Sequence, residues 1–134
     1  MKIYLGTDHA GFELKEKIKA FLREKGYQVE DQGAFEFDPE DDYPDFVSMV
    51  AKQAGADDGS RGIVFGYSGQ GEAICANREK GIHATVFYGG SLETVKLARE
   101  HNDSNVLSLG AGFVKEAEAI EAVQIWLGTK FSGD

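Results

Sequence analysis

A glycine-rich segment in the middle of the chain carries the clearest chemical signal in the sequence. It consists of Tyr67, Ser68, Gly69, Gln70, Gly71 and Glu72. Glycines let the backbone approach a ligand closely, and N–H groups that converge at a helix start attract negative charge. The segment suits a phosphate or a developing oxyanion, although tight strand-to-helix packing explains the glycines equally well. Walker and dinucleotide motifs are incomplete here, so no nucleotide cofactor is predicted.

Three further positions carry groups that can move protons. Glu72 falls in the first turn of a predicted helix, where a carboxylate is either an N-terminal capping charge or a base. His101 lies near the end of another predicted helix and is either a C-terminal charge partner or an acid-base group. Asp8 and His9 follow the first predicted strand, where Asp8 either caps the next helix or contacts a ligand.

Two residues of reactive type are interpreted as structural. His83 lies within an apolar strand and is expected to be a core or edge histidine. Cys75 is the only cysteine and is expected to be buried in a helix. A single cysteine excludes an intrachain disulfide and cannot by itself form a thiolate metal site.

The elements that must position these groups alternate between strand and helix. Strands are predicted at 3–5, 27–30, 62–66, 82–87 and 105–109. Helices are predicted from residue 12 to before 26, from 43 onwards, and at 72–78, 92–98 and 113–127. This alternation implies right-handed crossovers and a parallel sheet covered on both faces. We predict one domain, residues 1–134, as a three-layer α/β/α sandwich with a five-stranded, parallel, doubly wound, Rossmann-like sheet.

Ligands of such sheets bind outside the carboxyl ends of the strands, where we expect three loops, residues 8–11, 67–72 and 99–103. The acidic run at 38–42 is interpreted as a solvated loop that leads into a helix beginning at Tyr43. The chain of 134 residues has a formal net charge of -9, which disfavours nucleic acid and anionic membrane surfaces. No apolar run reaches the length of a membrane span and no signal-peptide pattern is present, so a cytoplasmic location is expected.

Four separated motifs, in this order over nearly the whole chain, resemble one family. They are GTDHAG at 6–11, YPDF at 43–46, SGQGE at 68–72 with AN at 76–77, and EHND at 100–103 with NVL at 105–107. The family is that of ribose-5-phosphate isomerase B and galactose-6-phosphate isomerase.

The resemblance implies an aldose–ketose isomerase that forms an enediolate without a metal or an organic cofactor. Many members place a cysteine base at the end of the third strand, where this chain has Gly66. A second branch uses a glutamate directly after the glycine loop, and Glu72 has that position. Glu72 is therefore the expected base. The enediolate oxygens are expected to be stabilised by the N–H groups of Gly69, Gln70 and Gly71 and by the hydroxyl of Ser68.

The same resemblance implies the ring-opening step and the remaining substrate contacts. His101 is expected to donate a proton to the ring oxygen, with Asp8 assisting on the hydroxyl side. The expected substrate-positioning residues are His9, Tyr43, Tyr67 and Asn102. Family members build each site across a dimer, with the His-Asn pair supplied by the neighbouring subunit. A homodimer or a dimer of dimers is therefore expected.

Phosphate recognition is where the sequence departs from the family. Gly112 replaces an arginine, and the sequence ends at Asp134, before the segment in which further arginines are expected. We expect a short or truncated tail. The alternatives are a sugar without that phosphate, phosphate recognition by His9 and the loop amides, or loss of activity with a retained binding role.

The leading expectation is interconversion of ribose 5-phosphate and ribulose 5-phosphate. Six-carbon substrates such as allose or galactose 6-phosphate belong to the same class. A catalytically weak sugar-phosphate binding protein and a structural subunit of a heteromeric isomerase are the alternatives from other classes.

Overall fold

The computed structural model describes residues 1–133, so Asp134 lies outside the described residues. The strands are β1 (Lys2–Thr7), β2 (Gln28–Asp31), β3 (Arg61–Gly66), β4 (Ala84–Phe87) and β5 (Val106–Gly110). The helices are α1 (Phe12–Glu24), α2 (Tyr43–Ala56), α3 (Gln70–Asn77), α4 (Glu93–Glu100) and α5 (Glu116–Gly128). A 3-10 helix, His9–Gly11, joins β1 to α1. Among residues 1–133, none of the helices has the length and apolar character needed to cross a membrane.

The five strands form one sheet in the order β2-β1-β3-β5-β4, and its four pairings are all parallel. Helices α1, α4 and α5 pack on one face of the sheet, and α2 and α3 pack on the other. The predicted three-layer sandwich with a doubly wound, Rossmann-like parallel sheet is confirmed. Strand β2 lies at an edge of the sheet, as its alternating sequence predicts.

The sheet is buried on both faces because its central strands carry apolar side chains in both directions. In β3, Ile63 and Phe65 point into the layer of α1, α4 and α5, and Val64 points into the layer of α2 and α3. Trp126 of α5 is fully buried, and its indole N–H donates to the Ser104 hydroxyl at 2.9 Å. This packed centre fixes the carboxyl ends of β1, β3 and β5 beside one another.

Two elements begin at least two residues later than the sequence predicts. Strand β4 begins at residue 84 rather than 82, because the N–H of His83 donates to the side-chain oxygen of Asn105 at 2.8 Å. Helix α5 begins at residue 116 rather than near 113. Its first turn is closed by the Glu118 carboxylate, which accepts a hydrogen bond from the N–H of Lys115 at 3.1 Å.

Neither of the two residues interpreted as structural is fully buried. His83 is exposed just before the edge strand β4, so the core alternative for this histidine is wrong. Cys75 lies in α3 as predicted but is only partly buried. Burial raises the pKa of its thiol, which disfavours the reactive thiolate.

Candidate active site

The candidate site lies at the carboxyl edge of the sheet, between β1 and β3. The winding reverses at these neighbouring strands, because α1 packs on one face of the sheet and α3 on the other. The register pairs Thr7 with Phe65, so the residues that follow the two strands emerge side by side. Asp8 and His9 enter this crevice from β1, and residues 67–72 enter it from β3. Open α/β sheets bind ligands at such a point.

Glu72 lies in the first turn of α3 with its carboxylate packed against the end of β3. The residue is only 5% exposed, and its carboxylate fills the space into which a β-carbon on Gly66 would project. Burial raises the pKa of the Glu72 carboxyl, and the charge of Asp8 acts in the same direction, while N–H groups of Glu72 and Gly69 oppose the shift. A carboxylate held closer to neutrality can take a proton from carbon and return it.

The loop before α3 has a backbone path fixed by hydrogen bonds. Gly69 adopts a φ of 82° at the N-cap of α3. The buried Ser108 hydroxyl of β5 donates to the Gly69 carbonyl at 2.6 Å, and the Gln70 N–H donates to the Ser68 hydroxyl at 3.2 Å. This hydrogen bond to β5 holds the Gly69 carbonyl and thereby the loop. The amino end of α3, which carries a partial positive charge, therefore stays beside Glu72.

Two tyrosines flank this loop. Tyr43, the first residue of α2, places its hydroxyl over Gly71, 2.8 Å from the position of a β-carbon built there. Tyr67 lays its ring over Gly112, on the β5 side. The structure thus brings both predicted substrate-binding tyrosines to the glycine loop.

Asp8 and His9 are both held by hydrogen bonds at the end of β1. The Asp8 carboxylate accepts a hydrogen bond from the Ala10 N–H at 2.9 Å, so it caps the 3-10 helix as one sequence alternative predicts. The backbone N–H of His9 donates to Asp41 at 2.8 Å, and its Nδ1 lies 3.0 Å from the same carboxylate oxygen. With Nδ1 engaged, Nε2 is the ring nitrogen left for a ligand.

Asp41 is the residue of this site that sequence reasoning missed. The acidic run was predicted to be a solvated loop, but the Asp41 side chain is only 8% exposed. Its second carboxylate oxygen is buried and has no hydrogen-bond partner among residues 1–133. The prediction of a fully solvated run is therefore wrong, because His9 draws Asp41 inward. The position of the run is the signal that could have identified Asp41, since this loop follows the carboxyl end of β2.

The charged groups of this cluster shift one another's pKa values. The hydrogen bond to Asp41 raises the pKa of His9, with a further contribution from the charge of Asp8. Burial raises the pKa of Asp8, while the Ala10 N–H and the charge of His9 lower it. The ligand atoms of Asp8, His9 and Asp41 lie within 4.8 Å of one another. The hydrogen bonds between His9 and Asp41 and the cap that Asp8 forms with the Ala10 N–H account for these positions, so we assign no metal to them.

His101 and Asn102 are not at this site within one chain. Both are exposed at the end of α4, where the His101 N–H donates to the Leu97 carbonyl at 2.9 Å. They precede the amino end of β5, whereas Glu72 lies beyond the carboxyl ends. The expectation that residues 99–103 join the other two loops at the carboxyl edge is therefore wrong for a single chain, because the helix before β5 returns the chain to the amino edge. At about 3.3 Å per residue, the five residues of β5 separate the two edges by roughly 15 Å. His101 therefore cannot act with the Glu72 of its own chain.

A buried carboxylate beside a helix start, at the switch point of a parallel α/β sandwich, is an arrangement that suits an enzyme acting on an anionic small molecule. Comparison with known proteins narrows this class. The sequence model described as Ribose/Galactose Isomerase matches residues 3–134. The chain belongs to the ribose/galactose isomerase family.

Individual relatives agree with this membership. Ribose-5-phosphate isomerase B of Mycolicibacterium paratuberculosis is 45% identical over 132 residues, covering 98% of this chain and 82% of the relative. The Escherichia coli protein of the same name is 38% identical, covering 98% and 87%. A crystal structure of ribose-5-phosphate isomerase B from Mycoplasma genitalium with bound ribulose-5-phosphate superposes with a TM-score of 0.94 at 37% identity, covering 99% of this chain and 87% of that one.

Proposed function

We propose that this protein interconverts ribose 5-phosphate and ribulose 5-phosphate, with Glu72 as the base. The carboxylate removes the proton from C2 of the open-chain aldose, and the electron pair moves through C1 to the carbonyl oxygen. In the resulting enediolate, the hydroxyl proton of C2 passes to the oxygen of C1. Glu72 then returns its proton to C1, and the carbonyl forms at C2. The observation that carries this proposal is the burial of Glu72 against Gly66 at the start of α3.

Negative charge on the enediolate oxygens is stabilised by the glycine loop. The Gly71 N–H and the Ser68 hydroxyl lie at the positive end of α3. The Gln70 N–H donates to the Ser68 hydroxyl and the Gly69 N–H to the Glu72 carboxylate, so a bound oxyanion takes these two N–H groups over from their partners in the chain. Donors fixed before the reaction contribute about 3 kcal/mol each to the stabilisation of such an oxyanion. The hydrogen bond from Ser108 to the Gly69 carbonyl supports this preorganisation.

Ring opening uses a second copy of the chain. His101 of one copy donates a proton to the ring oxygen of a sugar bound beside Glu72 of the other, and Asp8 receives the hydroxyl proton. Asn102 positions the same substrate. The exposure of His101 and Asn102 at the opposite edge of the sheet supports this arrangement, because these side chains are free to enter another chain's site. The active form is then a homodimer or a dimer of dimers.

The phosphate is held by His9 at the end of β1. The Asp41 carboxylate favours the charged imidazolium of His9, and that cation compensates for the neutral Gly112. The pentose assignment draws on the relatives, one of which holds ribulose-5-phosphate. Since sugar phosphates are intracellular metabolites, we also propose that the protein acts in the cytoplasm.

The test is conversion of ribose 5-phosphate to ribulose 5-phosphate by the purified protein, compared with Glu72→Gln and with Glu121→Gln. Glu121 is exposed on α5 and is the matched control. Loss of a general base lowers kcat by about 10²- to 10⁴-fold, so Glu72→Gln is expected to fall in that range and Glu121→Gln to match the native protein. Equal activity of native protein and Glu72→Gln would contradict the role of Glu72.

A further inference from the structure

Tyr67 and Gly112 share one space at the carboxyl edge of the sheet. The Gly112 N–H donates to the Tyr67 carbonyl at 2.8 Å, so the two residues are neighbours just beyond the ends of β5 and β3. A β-carbon built on Gly112 would lie 2.5 to 2.7 Å from three ring carbons of Tyr67. The ring therefore occupies the place where a side chain of residue 112 would begin.

The ring of Tyr67 is held from the side by two further aromatic residues. Its centroid lies 5.4 Å from that of Phe113 in an edge-to-face contact, and Phe113 lies 6.2 Å from Tyr88 in a second such contact. Tyr67, Phe113 and Tyr88 are each more than half exposed, with Tyr67 at 64%. We call these three residues the aromatic wall. It stands next to Ser68, where the glycine loop begins.

The Tyr67 ring is held by its neighbours although most of its surface faces water, so burial does not explain its position. Exposed apolar clusters mark binding surfaces. The edge-to-face contact with Phe113 and the packing on Gly112 favour this position of the Tyr67 ring. A ring at this place beside the loop limits how far a bound ligand can extend toward β5.

We propose that Tyr67, seated on Gly112, is a specificity-determining residue that restricts the site to five-carbon sugar phosphates. This inference rests on the proposed function, since it concerns the substrate of the same site. With the phosphate held at His9 beyond β1, a sixth carbon would push the reacting end of the sugar past Glu72 toward β5, into the space that the ring fills. Bulk, rather than the phenol hydroxyl, sets the limit.

The experiment measures kcat/KM for ribose 5-phosphate and for allose 6-phosphate in the native protein and in four single variants. Tyr67→Ala removes the ring, and Tyr67→Phe removes only the hydroxyl. Gly112→Ala displaces the ring. Gly128→Ala is the matched control, because a β-carbon on that residue meets no atom within 4 Å.

Tyr67→Ala is expected to shift the ratio of the two kcat/KM values toward allose 6-phosphate by at least about tenfold, the scale on which a pocket discriminates one carbon unit. Tyr67→Phe and Gly128→Ala are expected to leave the ratio within about twofold. Gly112→Ala is expected to change the ratio when Tyr67 is present. In a Tyr67→Ala/Gly112→Ala double variant, measured beside the four single variants, it is expected to change nothing further, because the new methyl group then has no ring to displace.

An unchanged ratio in Tyr67→Ala would overturn the inference, whatever happens to its thermal stability. A change of molar mass by light scattering with an unchanged ratio would make the aromatic wall a contact between copies of the chain instead. If the native protein converts neither sugar, the proposed function fails. The inference is then tested by calorimetric titration with the same two ligands, where Tyr67→Ala must still favour the longer one.

Discussion

The carboxylate of Glu72 lies directly over the α-carbon of Gly66, in the space that the side chain of any other residue at position 66 would take. Gly66 ends β3 and Glu72 lies in the first turn of α3, so the fold brings the two residues together across the glycine loop. The absence of a side chain at one position is thus the condition for the buried carboxylate at the other.

Gly66→Ala is predicted to disable the protein without removing any catalytic group. The new methyl group forces the Glu72 carboxylate out of its place, so kcat is expected to fall by at least about 10²-fold. Overpacking also lowers the free energy of unfolding by about 1 to 3 kcal/mol. Steady-state kinetics and urea unfolding check both effects, with Gly128→Ala as the control. Native kcat in a folded Gly66→Ala protein would show that Glu72 does not act from this position.

Glu72→Gln is predicted to be more stable than the native protein at pH 7. Folding raises the pKa of this carboxyl above its ordinary value of 4.5, so the unfolded chain releases the proton first as the pH rises. The native state therefore loses stability between the two pKa values, and above both it retains a buried charge that glutamine lacks. Thermal unfolding at pH 7 and pH 4 checks this prediction. The advantage of Glu72→Gln should be largest at pH 7, and an equal advantage at both pH values would contradict it.

In Asp41→Asn, the rise of KM with increasing pH is predicted to begin at a lower pH than in the native protein. Asp41 raises the pKa of His9, and the charge of Asp8 also faces this ring, so the imidazolium persists to higher pH in the native site. As pH rises through the pKa of His9, the cation is lost and KM for the sugar phosphate rises. The substrate phosphate titrates near pH 6 in both proteins, so only the difference between the two profiles reports on His9. Superimposable KM profiles would exclude this role for Asp41.

A mixture of two inactive variants is predicted to regain activity. Glu72→Gln and His101→Ala each damage both sites of their own homodimer. In a mixed dimer, one site carries both changes and the other carries neither, because His101 crosses to the neighbouring chain. Refolding the two variants together should restore about a quarter of native activity, given random pairing of chains. No recovery, with mixed dimers demonstrated by differently tagged chains, would mean that sites are not shared.

Much of the fold could be predicted because it depends on local pattern. The apolar run before Gly66 indicates a central strand, and the polar groups after β1 and β3 indicate the ligand-binding edge. The pairing of Asp41 with His9 spans 32 positions, and that of Tyr67 with Gly112 depends on how β3 and β5 align. Such contacts come from tertiary packing, which residue spacing does not encode. The single domain over 1–134 and the dimer stay predictions, since they concern properties beyond one chain's described contacts.

Proton transfer by Glu72 is tested most directly by solvent exchange in D₂O. Ribose 5-phosphate is incubated with native protein, Glu72→Gln or Glu121→Gln, and deuterium at C2 of the aldose and C1 of the ketose is followed by proton NMR. The account predicts deuterium incorporation with the native protein and with Glu121→Gln, and its loss in a folded Glu72→Gln. Incorporation by Glu72→Gln at the native rate would contradict the account, because another group would then be moving the proton.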